Sequence, residues 1–125
     1  MPTRLMGGLL LVCLMVSPIE AAPRSLVDAI IHVESGGNPH ARGRHGEWGL
    51  MQIKCSTARS VGFRGACSRL ADPSINRRFG TAYLDAALRR ARGNVDTAIS
   101  LYQRGIYAKF RGCSAYCRKV KAAMK

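Results

Sequence analysis

Acidic residues, aromatic residues and long apolar runs are scarce in this chain of 125 residues. It has 7 Asp and Glu against 20 Lys and Arg, a formal net charge of +13, and 6% aromatic residues. Its longest apolar run, Leu5 to Val16, is shorter than the roughly 20 residues that span a membrane. His32, His40 and His45 are not at the spacing of metal ligands, and no glycine loop of the phosphate-binding kind is present. The sequence therefore predicts no metal and no cofactor.

The first 22 residues have the layout of a secretory signal peptide. Arg4 precedes the apolar run, which is followed by Ser17-Pro18 and by the small residues Ala21 and Ala22. We expect cleavage after Ala21 or Ala22 and an exported protein, periplasmic or secreted, with residues 23–125 as its single domain. A retained N-terminal anchor is the alternative.

The excess of positive charge predicts an anionic partner. The signal segment contains one basic and one acidic residue, Arg4 and Glu20, so its removal leaves the net charge at +13. Basic surfaces are typical of nucleic-acid-binding proteins, but the export signal and the lack of a continuous Lys/Arg run favour a wall or membrane surface. No nucleic-acid partner is predicted. A basic surface that only keeps the protein soluble is also compatible with this balance.

Four cysteines remain once Cys13 leaves with the signal segment: Cys55, Cys67, Cys113 and Cys117. An even count in an exported chain predicts two disulfides, which would help to stabilise a domain of about 100 residues. Three connectivities are open, because the pairing can be local or can tie the C-terminal segment to the middle of the domain. A four-thiolate zinc site is the rival, but the cysteine spacing differs from that of zinc ribbons.

Apolar residues at helical spacing predict a small, mainly α-helical domain, and no clear series of strands is present. Ser25, Asp72 and Asn94 are the expected N-caps, and an Arg- and Gly-rich loop at 36–48 is expected to line a cleft. The helices are expected between these bounds: Ser25 to Glu34, Asp72 to Gly93, Asn94 to Gly105, and 114–124.

The few carboxyl groups allow a candidate acid to be found by elimination. An acid that keeps its proton near neutral pH needs surroundings that solvate its charge poorly. Five acids do not meet this condition. Asp28, Asp72 and Asp96 are at helix starts, Asp85 is beside Arg89 on a helix surface, and Glu47 is in a polar loop. Glu34 follows Ile30 and Ile31 on the apolar face of its helix. A side chain that escapes to water at the helix end is the alternative for Glu34.

Three short motifs occur in order along the chain: Glu34-Ser35, Gly49-Leu50-Met51-Gln52-Ile53 and Tyr102-Gln103-Arg104-Gly105. They resemble the motifs Glu-Ser, Gly-Leu-Met-Gln and Tyr-Asn-x-Gly of the SLT-type lytic transglycosylases, a goose-type lysozyme-like family. The resemblance runs from about Ser25 to Tyr107. It implies a small lysozyme-like helical fold and cleavage of peptidoglycan between N-acetylmuramic acid and N-acetylglucosamine.

The resemblance also implies roles for seven residues. Glu34 is the catalytic residue, and the residues expected to bind substrate are Ser35, Gly49, Met51, Gln52, Tyr102 and Gln103. Met51 would pack beneath the sugar, Gln52 would offer its amide, and the hydroxyl of Tyr102 would hold or tune Glu34. Gln103 stands where the family has Asn, which puts the contact made by that Asn in doubt.

One carboxyl group fits the transglycosylase reaction, in which the muramyl C6 hydroxyl replaces water and closes a 1,6-anhydro ring. Hydrolysis ordinarily uses two carboxylates, of which this chain offers one convincing candidate. The nearest alternative is a lysozyme-type hydrolase with the same fold, in which water attacks instead. A non-catalytic wall-binding or secretion accessory protein and a cationic membrane-disrupting antimicrobial are the others. The expected partners are peptidoglycan glycan strands and, by resemblance, a secretion system or appendage; a monomer is expected.

Overall fold

The computed structural model describes residues 21–125 and contains five α-helices and one 3₁₀ helix, Cys67–Ala71. The α-helices, numbered α1 to α5, are Arg24–Ser35, Cys55–Ser60, Pro73–Arg90, Val95–Arg104 and Ala115–Ala123. Within residues 21–125 there is no strand, only two isolated β-bridges, which confirms the mainly α-helical prediction. None of the helices in this range combines the length and apolar character that a bilayer span requires. The predicted signal peptide, residues 1–22, lies almost wholly outside the described residues.

Helix α1 presents one apolar face to the core and ends at a glycine stop. Gly36 takes a left-handed φ of 61° and donates its N–H to the carbonyl of His32, a common helix ending because glycine has no Cβ to clash. The prediction that Ser25 is the N-cap of α1 is wrong. Pro23 occupies that position without a side-chain cap, since its fixed φ suits the entry to a helix.

The predicted caps of the next two long helices are confirmed. The carboxyl group of Asp72 and the amide oxygen of Asn94 each accept a backbone N–H from the first turn of α3 and α4. Helix α3 ends at Arg90, before the predicted Gly93, because a turn with Gly93 at φ 82° intervenes. Helix α5 starts directly after Ser114, whose hydroxyl caps it.

Helix α2 and the 3₁₀ helix were not predicted, because elements this short have no room for an apolar repeat. A disulfide between Cys55 and Cys67 joins their first residues, and a second disulfide joins Cys113 to Cys117. Both pairings are local. These four sulfurs are bonded in pairs, so the alternative of a four-thiolate zinc site formed by these four cysteines is wrong.

Helix α5 packs on α1 and α4, and α4 packs on α3. The largest fully buried apolar side chains are Leu26, Ile30, Met51, Leu70, Leu84, Ile99 and Val120. Burial of each such side chain is worth about 1.5–3 kcal/mol. Met51 is notable because it comes from the segment between α1 and α2, so its burial ties that segment to the helices.

Candidate active site

A cleft of about 670 Å³ is open to solvent where the end of α1, the segment 43–54, the end of α4 and the start of α5 meet. Four of the seven predicted site residues line it: Glu34, Gln52, Tyr102 and Gln103. The remaining three do not line it: Ser35, Gly49 and Met51. The structure therefore brings the three motifs to one place, partly as lining and partly as support beneath it.

The carboxyl group of Glu34 is half-buried in this cleft. It lies two residues before the Gly36 stop, at the end of the apolar face of α1. Burial raises the pKa of Glu34 above the ordinary value, a hydrogen bond from Tyr116 acts in the opposite direction, and the charge of Glu47 adds to the rise. Glu34 therefore keeps its proton to a higher pH than an ordinary glutamic acid.

Tyr116, which the sequence reasoning missed, holds this carboxyl group. Its hydroxyl on α5 donates to Oε1 of Glu34 at 2.7 Å. Burial, and then the charge of Glu34, raise the pKa of Tyr116, so the phenol stays protonated and remains a donor. The available signal was the apolar set Tyr116, Cys117 and Val120, whose spacing gives the basic helix α5 a face that packs on α1.

Gly49 and Met51 of the second motif are buried and support the cleft from below. Gly49 has a left-handed φ of 66°, and a Cβ at that position would lie 2.7 Å from Nδ2 of Asn76. The Asn76 side chain is fully buried and donates to the carbonyls of Trp48 and Leu70, while its oxygen accepts the N–H of Met51 at 2.8 Å. Gly49 is therefore required for the close approach of Asn76.

The amide of Gln52 faces the cleft but is already partly used. Its Nε2 donates to the carbonyls of Ala41 at 3.1 Å and Gly49 at 2.9 Å. Gln52 also has a φ of 48°, which is uncommon for a residue other than glycine. Because both N–H groups are used, the carbonyl oxygen is the part of the amide that remains to contact a ligand.

The prediction that the hydroxyl of Tyr102 holds Glu34 is corrected by the structure. The hydroxyl of Tyr102 donates to the carbonyl of Met51 at 2.7 Å, and Tyr116 takes the position at the carboxyl group. Tyr102 still lines the cleft. Burial, then the charges of Glu34 and Tyr83, hold the pKa of Tyr102 well above its ordinary value, so its hydroxyl is a permanent donor that fixes the Met51 backbone.

Ser35 and Gln103 differ in their surroundings, since only Gln103 lines the cleft. The hydroxyl of Ser35 donates to the carbonyl of Ile31 at 3.1 Å and accepts the N–H of Gly37 at 3.2 Å, which closes the end of α1. Gln103 is exposed and lines the cleft. Substrate contacts of both residues stay predictions.

A second carboxyl group, Glu47, lines the same cleft in a different environment. Its own backbone N–H, and then that of His45, which donates to Oε2 at 2.9 Å, hold the pKa of Glu47 below the ordinary value. The charges of His45 and Lys54 also lower this pKa, and the cleft lining contains further basic side chains, Arg44 and Arg104. One cleft thus contains a protonatable acid on one side and an ionised carboxylate among cations on the other.

A small helical domain with two disulfides and a glutamic acid of raised pKa in an open cleft has the features expected of a lysozyme-like fold. The family profile described as "Transglycosylase SLT domain" matches residues 17–119, and the chain belongs to this family.

Two relatives named endo-type membrane-bound lytic murein transglycosylase A, from Citrobacter koseri and Salmonella paratyphi B, are each 46% identical to it. The aligned parts are 70 and 66 residues, or 50% and 47% of this chain and 34% and 32% of the relatives. The chain thus spans about a third of the length of these relatives.

The fold of the chain is similar to that of solved structures of lytic transglycosylases. The 70 kDa soluble lytic transglycosylase from Escherichia coli superposes with a TM-score of 0.62 at 27% identity, over 82% of this chain and 16% of that chain. An inactive mutant of the lytic transglycosylase Slt from Pseudomonas aeruginosa gives a TM-score of 0.63 at 24% identity, over 80% and 18% of the two chains. The second likeness concerns the fold alone.

Proposed function

We propose that this chain is a peptidoglycan lytic transglycosylase, which cleaves the β-1,4 bond between N-acetylmuramic acid and N-acetylglucosamine and leaves a 1,6-anhydromuramyl product. The observation that carries the proposal is Glu34, a half-buried carboxyl group whose pKa is raised in an open cleft. Membership of the SLT family and the names of the murein-cleaving relatives support the substrate class.

Glu34 acts twice in this reaction. Its protonated carboxyl group donates the proton to the glycosidic oxygen, so that the bond to the muramyl C1 breaks and N-acetylglucosamine leaves with a free hydroxyl. The resulting carboxylate then takes the proton of the muramyl C6 hydroxyl while O6 bonds to C1. The proton balance closes, because Glu34 ends protonated and no water enters. A raised pKa suits both steps, since acid and base efficiency is best when the pKa lies near the working pH.

The neighbours of Glu34 assist without exchanging protons. Tyr116 donates to the carboxylate that forms after the first step, which stabilises it and fixes its orientation. Gln52, Tyr102 and Gln103 line the cleft, and in this scheme they contact the sugar. Ser35, Gly49 and Met51 do not contact substrate in this scheme. They support the site, because they hold the end of α1 and the backbone below the cleft.

The cationic side chains of the cleft lining match an anionic wall polymer, whose peptide stems carry carboxylates. We place the mature protein outside the cytoplasm, in the periplasm or secreted, after removal of the signal peptide. It acts there as a monomer on glycan strands. A secretion system or appendage that needs a local opening in the wall is the partner class that the family resemblance implies.

A lysozyme-type hydrolase is the second candidate, and one observation favours it. Glu47 lines the same cleft, and its lowered pKa keeps it ionised, which is the state that a base needs to activate water. In that reaction Glu34 would again donate its proton, but water would replace the C6 hydroxyl.

Mass spectrometry of fragments released from purified peptidoglycan separates these reactions. We expect anhydromuramyl ends from the mature protein, none from Glu34→Gln, and the same ends at a reduced rate from Glu47→Gln. Reducing ends that are heavier by one water, and that disappear in Glu47→Gln, would replace our proposal with the hydrolase. Release of nothing by any of the three proteins would favour a non-catalytic wall-binding role.

A further inference from the structure

A main-chain hydrogen bond joins the start of the described chain to the middle of α3. The backbone N–H of Ala22 donates to Oδ1 of Asp85 at 2.8 Å, across 63 positions of sequence. Arg89 lies one helical turn from Asp85, but within residues 21–125 the aspartates that form ion pairs are Asp28 and Asp96. The partner of the Asp85 carboxylate is therefore the nitrogen of Ala22.

We propose that the signal peptide is removed between Ala21 and Ala22, and that the new α-ammonium group of Ala22 forms an ion pair with Asp85. The nitrogen that the structure places at the carboxylate is the one that this cleavage would convert from an amide to an ammonium group. Of the two bonds that the sequence leaves open, only Ala21–Ala22 has this result.

The chemistry of the other bond also argues for this site. Cleavage of Ala22–Pro23 would require a peptidase to bind proline directly after the cut bond, where proline has no N–H to donate and restricts the residue before it.

A charge on the Ala22 nitrogen would strengthen its hydrogen bond to Asp85, which already has a length of 2.8 Å. An α-amino group has an ordinary pKa of about 7.7–8.0 and is held protonated by a neighbouring carboxylate. Hydrogen bonds with a charged donor are roughly twice as strong as neutral ones. Because α1 begins at Arg24, the pair would anchor the start of the helix that carries Glu34 to α3.

Asp85 also lines an open groove of about 720 Å³ next to the cleft, together with Arg89 and Arg104. The ammonium group would neutralise the single carboxylate in this lining and leave the groove cationic. Processing would thereby affect the surface beside the proposed active site.

The first test is the intact mass of the protein recovered after export of the full chain. We expect the mass of the chain that starts at Ala22. A start at Pro23, another start or an uncleaved chain would overturn the proposal. This readout does not depend on wall cleavage, so it can succeed while the proposed function fails, and the reverse also holds.

The second test measures the ion pair by thermal unfolding of purified chains that start at Ala22 and at Ala21. The extra residue moves the ammonium group away from Asp85, and we expect it to lower Tm by about 4 °C or more. Acetylation of the Ala22 amine should have a similar effect. In Asp85→Asn the difference between the two starts should disappear, while in Asp96→Asn, the matched control, it should persist. Equal Tm values for the two starts, or a difference that survives Asp85→Asn, would contradict the ion pair.

Discussion

The two sides of the cleft differ in how their polar groups are satisfied. One side, called the floor, consists of Glu34, Gly49, Met51, Asn76 and Tyr102, and its polar groups bond to buried protein partners. The other side, called the rim, consists of residues 43–47. Three residues of the rim are exposed to solvent: Arg44, His45 and Gly46. The comparison teaches that burial, more than residue type, assigns chemical roles in this cleft.

The two glutamic acids of the cleft make this point most directly. Burial raises the pKa of Glu34 on the floor, whereas backbone N–H groups lower the pKa of Glu47 on the rim. The same side chain is thus an acid in one place and a stable anion in the other, as is typical of carboxyl pairs in glycosidase sites.

The largest expected effect is loss of activity when the floor acid is replaced. Glu34→Gln removes the only proposed proton donor, and we expect at least about a 10³-fold lower rate of glycan cleavage. Glu47→Gln on the rim should lower the rate only a few-fold. The rates are measured from soluble muropeptides released per minute. A comparable loss in both variants would break the comparison.

The next largest effect concerns a glycine on each side. Gly49→Ala adds a Cβ at a left-handed φ and 2.7 Å from Nδ2 of Asn76, so it disturbs the three hydrogen bonds of the buried Asn76 side chain as well as the backbone. We expect a loss of about 3 kcal/mol in the free energy of unfolding.

Gly46→Ala is the matched control for this loss. Gly46 has a φ of 85°, but nothing lies within 4 Å of a Cβ there, so only the backbone cost of about 1 kcal/mol should be measured. Urea unfolding of both variants gives the two numbers. Similar losses would show that the Asn76 contact contributes little.

A smaller effect is expected from the bond between floor and α5. Tyr116→Phe removes the hydroxyl that donates to Glu34 and favours its ionised form. The alkaline limb of the pH–rate profile should therefore move to higher pH, and the maximal rate should fall about tenfold because the carboxyl group loses its fixed orientation.

Tyr107→Phe is the control for this variant, since Tyr107 is 82% exposed and lies outside the cleft lining. It should leave the pH–rate profile where it is. A Tyr116→Phe profile that coincides with that of the parent protein would show that the hydroxyl does not tune the acid.

The contrast between floor and rim also explains how far the sequence could predict the structure. Glu34 and the Gly36 stop were predictable, because an apolar period and a left-handed glycine are local signals. The caps Asp72 and Asn94 were predictable for the same reason. The family resemblance then placed Gln52 and Tyr102 near Glu34, which periodicity alone does not do.

The partners that complete the floor were not predictable, because they come from distant parts of the chain. Tyr116 reaches Glu34 across 82 positions and Asn76 reaches Met51 across 25. The hydroxyl of Tyr102 was assigned to the wrong acceptor for this reason: only the packed helices determine which of two tyrosines reaches the carboxyl group. The local disulfides likewise needed coordinates, since spacing left three connectivities open.

The smallest expected effect is a pair of opposite pH dependences of stability. The folded-state pKa of Glu34 is raised, so its ionisation opposes folding; its favourable protonated state is fully present below about pH 4 and is lost as the pH rises through the raised pKa. Relative to the parent protein, Glu34→Gln should therefore gain Tm between pH 4 and pH 8. The pKa of Glu47 is lowered, so its ionised form favours folding; that stability is present above about pH 4.3 and is lost as the pH falls through the lowered pKa. Relative to the parent protein, Glu47→Gln should therefore lose Tm as the pH rises from about 3 to 8, by a smaller amount because Glu47 faces solvent. Tm values at about pH 3, pH 4 and pH 8 test this pair, and slopes of the same sign would mean that the two sides of the cleft do not differ in the way described.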